Sequence, residues 1–220
     1  MYHISRNKPA GKKLQLVRRD HMKLWERIKI RGNREVYYYD AKNGWEIENF
    51  AFRLYGLIKD EMEAENKKGV VFLCIGTDRS TGDSLGPLIG YKLKGKRIKR
   101  AEVIGTLEKP VHAMNLEQYL KAVRLGFPDH LIVAVDASVG NIEHIGYITL
   151  GKGPLKPGLG VSKELMAVGD IFITGIVGSC KSSDPIMLQS IRLSVVMRLA
   201  DCISESICFV EKLWDRAASV

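Results

Sequence analysis

The segment Val70–Gly90, VVFLCIGTDRSTGDSLGPLIG, decides the fold. Its first residues form an uninterrupted apolar run of strand length, the pattern of a strand whose sheet is covered on both faces. A polar loop flanked by Gly76 and Gly82 follows, and helical spacing resumes over Ser84–Lys94. Strand, glycine-flanked loop and helix is an order that usually cradles phosphate. Here it does not fit that use. A P-loop requires G-x-x-x-x-G-K-[ST], and Asp83 stands where a lysine would serve; the G-x-G-x-x-G of a dinucleotide loop is absent. The loop brings its own anion, and the helix start behind it is expected to hold Asp83 ionised.

Working outward, further strands read at Ala101–Thr106, His130–Asp136 (HLIVAVD), Ile145–Leu150 and Asp170–Val177. Glu48–Lys67 carries Phe50, Leu54, Leu57, Ile58 and Met62 on one helical face. NLEQYLKAVRLGFP forms a short helix with Asn115 as its cap and Gly126 and Pro128 as its stop. Ser183-Asp184-Pro185 signals the start of a long helix reaching about Trp214, with Ile191, Val195, Leu199, Ile203, Ile207 and Val210 facing inward. Apolar strands alternating with helices indicate an α/β protein, a three-layer α/β/α sandwich. Val139–Gly153 is too short to hold a crossover helix, so Ile145–Leu150 is expected to run antiparallel and the sheet to be mixed.

The chain has 220 residues, 45% of them apolar, enough to bury one core. Its net charge of +9 is confined to residues 1–34, where eleven of the 34 basic residues meet two of the 25 acidic ones; the rest carries 23 of each. Residues 1–34 are therefore read as a basic, peripheral leader and 35–220 as a single domain. Leu14–Ile30 has the spacing of a basic amphipathic helix, which could touch an acidic surface or be a frayed extension. Charge so localised does not predict specific nucleic-acid binding. Cys74, Cys180, Cys202 and Cys208 form no C-x-x-C pair, so reduced thiols and no zinc site are expected. The chain shows no apolar run of about 18 residues. It begins without the apolar stretch of a secretory signal, and a cytoplasmic location is expected.

Ligands of open α/β sheets sit beyond the carboxyl ends of strands where the winding reverses. Two strands end there in an aspartate-bearing loop, CIGTDRSTGD and VAVDASVG, and if those strands are neighbours, Asp83 and Asp136 face one crevice. Such a pair could share a proton and activate water, hold a metal, or cap helices. At about 4 Å and an effective dielectric near 20, two carboxylates repel by roughly 4 kcal/mol, enough to separate their pKa values by about three units.

These residues also carry a resemblance. CIGTDRSTGDSLGPLIGYKL and GTLEKPVHAMNLEQYL resemble the YyaC-type sporulation proteins of endospore-forming bacteria. More distantly, TGDSLGP, LIVAVDAS and LKPGLGVSKEL are similar to segments of the spore germination protease, an atypical aspartate peptidase. That protease and the hydrogenase-maturation endopeptidases share a phosphorylase/hydrolase-like fold, which implies a five-stranded mixed sheet of order 2-1-3-5-4 with strand 4 antiparallel. The resemblance places the catalytic aspartates on Asp83 and Asp136. In the maturation peptidases the two positions contact nickel together with a histidine, but VGSCKSSDP has none; His112 is the nearest substitute, and no metal or other cofactor is expected. Asp78, Arg79, Thr81 and His112 are the expected substrate contacts, and Pro154–Leu165 is the expected flap. Two departures stand out: Gly82 replaces a proline before Asp83, and Lys156 replaces the histidine of H-P-G. The leading expectation is a sporulation-associated peptide hydrolase acting on a spore protein or pro-segment, with self-association into a homo-oligomer compatible with the sequence. The alternatives are a non-catalytic binding or regulatory module and a metal-dependent processing factor.

Overall fold

Strand β3 (Gly69–Cys74) is buried at every residue because helices flank it on both sides. The computed structural model describes residues 27–30, 34–42, 47–96, 98–157, 166–179 and 191–217. In chain order it contains β1 (Arg27–Ile30), β2 (Arg34–Asp40), α1 (Ile47–Ala64), β3, α2 (Leu85–Lys94), β4 (Ala101–Ile104), α3 (Leu116–Gly126), β5 (His130–Gly140), β6 (Tyr147–Lys152), β7 (Ile171–Ser179) and α4 (Leu193–Ala217).

The seven strands form one sheet of order β1-β2-β6-β7-β5-β3-β4. β4, β3, β5 and β7 are mutually parallel, and β6 runs antiparallel to β7. The expected five-stranded order is thus present as β4-β3-β5-β7-β6. The expected strand count is corrected to seven, because β2 pairs antiparallel with β6 and β1 with β2. The run REVYYYD supplies β2; its aromatic and β-branched residues suit a pleated surface, but its mixed polarity hides it from a search for apolar runs. The helix expected over Leu14–Ile30 is corrected at its end, since Arg27–Ile30 is a strand; residues 14–26 lie outside the described residues.

The two faces of the sheet are covered unequally. On the first face, Phe50, Leu54 and Ile58 of α1, Leu85, Ile89 and Leu93 of α2, and Leu199, Ile203, Ile207 and Val210 of α4 join Val70, Phe72, Val133, Val135, Ile148 and Ile173 in the main core. On the second face, Leu116 and Leu120 of α3 pack with Leu73, Ile75, Val111, Ala134, Leu155 and Val168. Alternation along each strand, two residues per repeat, assigns every side chain to one face or the other.

Three local expectations also change. α4 begins at Leu193 and not near Ser183: Ile191 and Arg192 are not helical, and residues 180–190, with Cys180, lie outside the described residues. Asn115 starts α3 without capping it through its side chain; Oδ1 instead accepts the His112 N–H at 2.8 Å and Nδ2 donates to the Pro110 carbonyl at 3.1 Å, fastening the loop before the helix. The expected flap leaves from the wrong end for its role. β6 ends at Lys152 beside Ile171, the start of β7, and Leu155 pairs with Val168 there, away from the strand ends that carry the aspartates. Residues 158–165 of that segment lie outside the described residues.

Candidate active site

β3 and β5 lie side by side and parallel, in register from Gly69 opposite His130 to Cys74 opposite Val135. Asp136 therefore stands where β3 gives way to its loop, and the Ile75 N–H still donates to the Val135 carbonyl at 2.7 Å. The loop then turns sharply. Gly76 has φ +138°, a backbone that L side chains rarely adopt, and a Cβ there would overlap the Asp83 carbonyl. The Thr77 N–H donates to that same carbonyl at 3.0 Å, closing the loop on itself. Thr81–Asp83 forms a 3-10 turn ahead of α2. A Cβ on Gly86 would strike the Ile75 carbonyl, so glycine lets α2 approach the strand exit closely enough to press Asp83 inward.

The result is a pair of confined carboxyl groups. Burial raises Asp83 from 3.8 to about 6, against a smaller opposing pull from the Thr77 backbone N–H. The expected stabilisation of ionised Asp83 by the helix start is outweighed by desolvation, so its pKa moves up instead of down, though at about 6 it still leaves the group mostly ionised at neutral pH. Asp136 is only 5% exposed, so it is nearly out of water's reach. Burial first, and then the charge of Asp83, push its pKa well above the usual carboxylate range, although the Ala137 N–H donates to Oδ1 at 2.8 Å. Repulsion from Asp83 is felt at Asp136, so the turn after β3 brings its carboxyl group near that of β5. Neither bears an ion pair with Lys or Arg among the described residues.

The other expected residues are distributed around this pair. Val111 bridges Ile75 in parallel and its carbonyl accepts the Gly76 N–H at 2.7 Å, which sets His112 alongside the loop. The His112 Nδ1 accepts the Met114 N–H at 3.3 Å, so in the neutral ring the proton sits on Nε2. Thr81 serves the turn through its carbonyl, which accepts the Ser84 hydroxyl at 2.8 Å. Asp78 and Arg79 are exposed at the outer lip, and the Arg79 N–H is turned back to the Thr77 hydroxyl at 3.3 Å. No group of three His, Cys, Asp or Glu side chains suited to a metal is gathered among the described residues.

Sequence reasoning missed a chain of hydroxyls beside Asp136. Thr149 Oγ1 lies 2.7 Å from Thr174 Oγ1, which lies 3.0 Å from Ser138 Oγ; Ser138 also donates to the Gly175 carbonyl at 3.3 Å. Thr174 pairs with Asp136 in the β5–β7 register and with Thr149 in the β6–β7 register. The available signal was weak, a single hydroxyl at the centre of the apolar run IFITGIV.

The family model described as "Protein of unknown function (DUF1256)" matches residues 36–206. The chain belongs to this family. YyaC of Bacillus subtilis, a protein described as uncharacterized, is 40% identical over 162 residues, covering 74% of this chain and 79% of the relative. Among solved structures, a [NiFe] hydrogenase maturation protease, HycI from Thermococcus kodakarensis KOD1, is similar over 70% of this chain and 97% of its own, with 19% identity and a TM-score of 0.41. That structural likeness is too distant to bear on chemistry. No described helix is long and apolar enough to cross a membrane.

Proposed function

We propose that this DUF1256 protein hydrolyses a peptide bond with the Asp83–Asp136 pair. The observation that supports this most directly is two carboxyl groups, one on β5 and one in the turn that follows the neighbouring strand β3, both made weaker acids by burial, the deeper one further weakened by its neighbour. Their environments separate the roles. With a pKa of about 6, Asp83 is mostly ionised at neutral pH, whereas Asp136 keeps its proton longer. The Asp83 carboxylate accepts a proton from water as the oxygen attacks the carbonyl carbon, while Asp136 donates a hydrogen bond to the carbonyl oxygen. The C–N bond then breaks as a proton passes to the departing amine, and the products are a carboxylic acid and an amine. His112 and Thr81 flank the incoming chain. The resemblance to YyaC-type sporulation proteins favours a spore protein or pro-segment as substrate and the cytoplasm of the sporulating cell as the place.

One observation favours a second reading, a binding module without turnover. Asp136 is nearly sealed, and one of its oxygens is occupied by its own neighbour's amide. Incubation with spore-protein extract across a pH series separates the two. Hydrolysis yields defined fragments, at a rate that rises through about pH 6 as Asp83 ionises and falls at higher pH as Asp136 loses its proton. Asp83→Asn and Asp136→Asn should each abolish the fragments. Intact substrate with the native protein at every pH would overturn hydrolysis in favour of binding.

A further inference from the structure

The amino end of the parallel strands, opposite the aspartate pair, holds a cleft of about 270 Å³ that the peptidase reading does not use. α3 forms one wall, and residues 167–170, which lead into β7, form the other. Both walls are fixed by hydrogen bonds. Val168 and Leu155 exchange two, of 2.8 and 2.9 Å, and the Asp170 N–H donates to the Ile132 carbonyl at 2.8 Å. Gly169 turns this wall at φ +92°, where a Cβ would crowd Ala134. On the other side the Phe127 N–H closes the end of α3 onto the Val123 carbonyl at 2.8 Å, and Lys67 Nζ donates to the Pro128 carbonyl at 3.2 Å. Leu120, Phe127, Ile132 and Val168 give the cleft an apolar lining.

Charges of both signs meet in it. Arg124 is exposed on α3, Lys67 is half-buried, and Asp170 stands exposed on the facing wall, where its Oδ2 accepts the Ile132 N–H at 2.8 Å. The three form no ion pair with one another, nor with any other side chain among the described residues. We propose that this cleft binds a free α-amino acid with a large apolar side chain, at a site separate from the aspartate pair and independent of the peptidase reading. The ligand's carboxylate lies against Arg124 and Lys67, its ammonium group against Asp170, and its side chain on the apolar lining. Size supports the fit, since ligand pockets usually hold about 300–1,000 Å³ and this cleft stands at their small end. Charge supports it too. A ligand with one group of each sign suits all three side chains, whereas a plain anion would meet Asp170 and a plain cation two positive charges. Arginine matches a carboxylate with two parallel bonds, and Asp170 keeps Oδ1 for the ammonium group because Ile132 uses Oδ2.

Isothermal titration of the full chain with L-phenylalanine tests this. Phenylalanine should bind, and phenylalaninamide, N-acetylphenylalanine and glycine should each bind at least about tenfold more weakly, since each lacks one of the three matched groups. Arg124→Gln should weaken phenylalanine by about tenfold and leave phenylalaninamide nearly unchanged, because the amide has no carboxylate to lose. Asp170→Asn, which keeps an oxygen for the Ile132 N–H, should weaken phenylalanine in the same way and spare N-acetylphenylalanine. A general loss of structure would not sort the ligands by variant. No binding of phenylalanine below about 10 mM, or equal binding of all four compounds, overturns the proposal. So does an affinity for phenylalanine that is unchanged in either variant, which would place the ligand elsewhere.

Discussion

Carboxylates stand at both ends of the parallel strands, and the two ends treat them in opposite ways. At the amino end, Asp170 accepts the Ile132 N–H at 2.8 Å while remaining exposed, and Asp129 pairs with Lys68 at 3.6 Å in open solvent. At the carboxyl end, Asp83 and Asp136 are withdrawn from water, and the charge of Asp83 is felt at Asp136 while no Lys or Arg among the described residues pairs with either. Buried acids elsewhere are held by other groups: Glu61 pairs with Lys152, and one oxygen of Glu211 accepts the backbone N–H groups of Lys99 and Arg100 at 2.6 and 3.0 Å. Burial alone therefore does not distinguish the aspartate pair. The difference lies in two withdrawn carboxyl groups acting on each other, with no Lys or Arg partner among the described residues, an arrangement that costs stability.

The contrast breaks most readily through the glycine that brings α2 onto the strand exit. Gly86→Ala forces a Cβ into the Ile75 carbonyl, and backbone on both sides leaves little room to yield. A loss of about 3 kcal/mol follows, seen as a fall in Tm of roughly 6–12 °C in a thermal melt. The carboxyl pair itself provides the next effect, of opposite sign. The rise of Asp83 from 3.8 to about 6 means that the folded protein binds its proton more tightly than the unfolded chain. Its contribution is fully present below about pH 4 and is lost as pH rises through 6, a loss of about 3 kcal/mol at most. Asp83→Asn should flatten this decline, so that melts at pH 8 favour the variant over the native protein while melts at pH 4 do not. An unchanged slope would show that Asp83 is solvated. The smallest effect belongs to the other end: Lys68→Ala removes an exposed pair and should move Tm by less than about 2 °C at any pH, since such pairs contribute little.

Much of this architecture was legible because apolar runs and loop lengths are local properties. VVFLC and HLIVAV announce buried strands, and the short Val139–Gly153 connection requires the antiparallel β6 that is observed. β2 escaped because Tyr38 and Asp40 break its apolar pattern; pairing with β6 makes it a strand, and that partner is more than a hundred residues away in the chain. The long C-terminal helix was recognised, but its described start is Leu193, and Ile191 and Arg192 ahead of it are not helical. At the site, the two aspartates were named from loops expected to follow two strands; Asp83 does lie in such a turn, whereas β5 continues past Asp136 to Gly140. Their raised proton affinities were not readable, because desolvation depends on α2 pressing down through Gly86 and on the neighbouring strands closing in. The hydroxyls of Thr174 and Thr149 were missed for a related reason: one threonine in an apolar strand is unremarkable until register brings it opposite another.

The three linked hydroxyls of Thr149, Thr174 and Ser138 have no fixed polarity. Each can give its hydrogen to the next or receive one, so the chain supports two opposite senses of donation, related by rotation about single C–O bonds, the sense that starts from Ser138 giving up its 3.3 Å bond to the Gly175 carbonyl. Reversing the sense moves no heavy atom. A carboxyl group one strand away can therefore change its charge while the dipoles beside it turn over to suit, and the backbone of β5, β6 and β7 stays where it is.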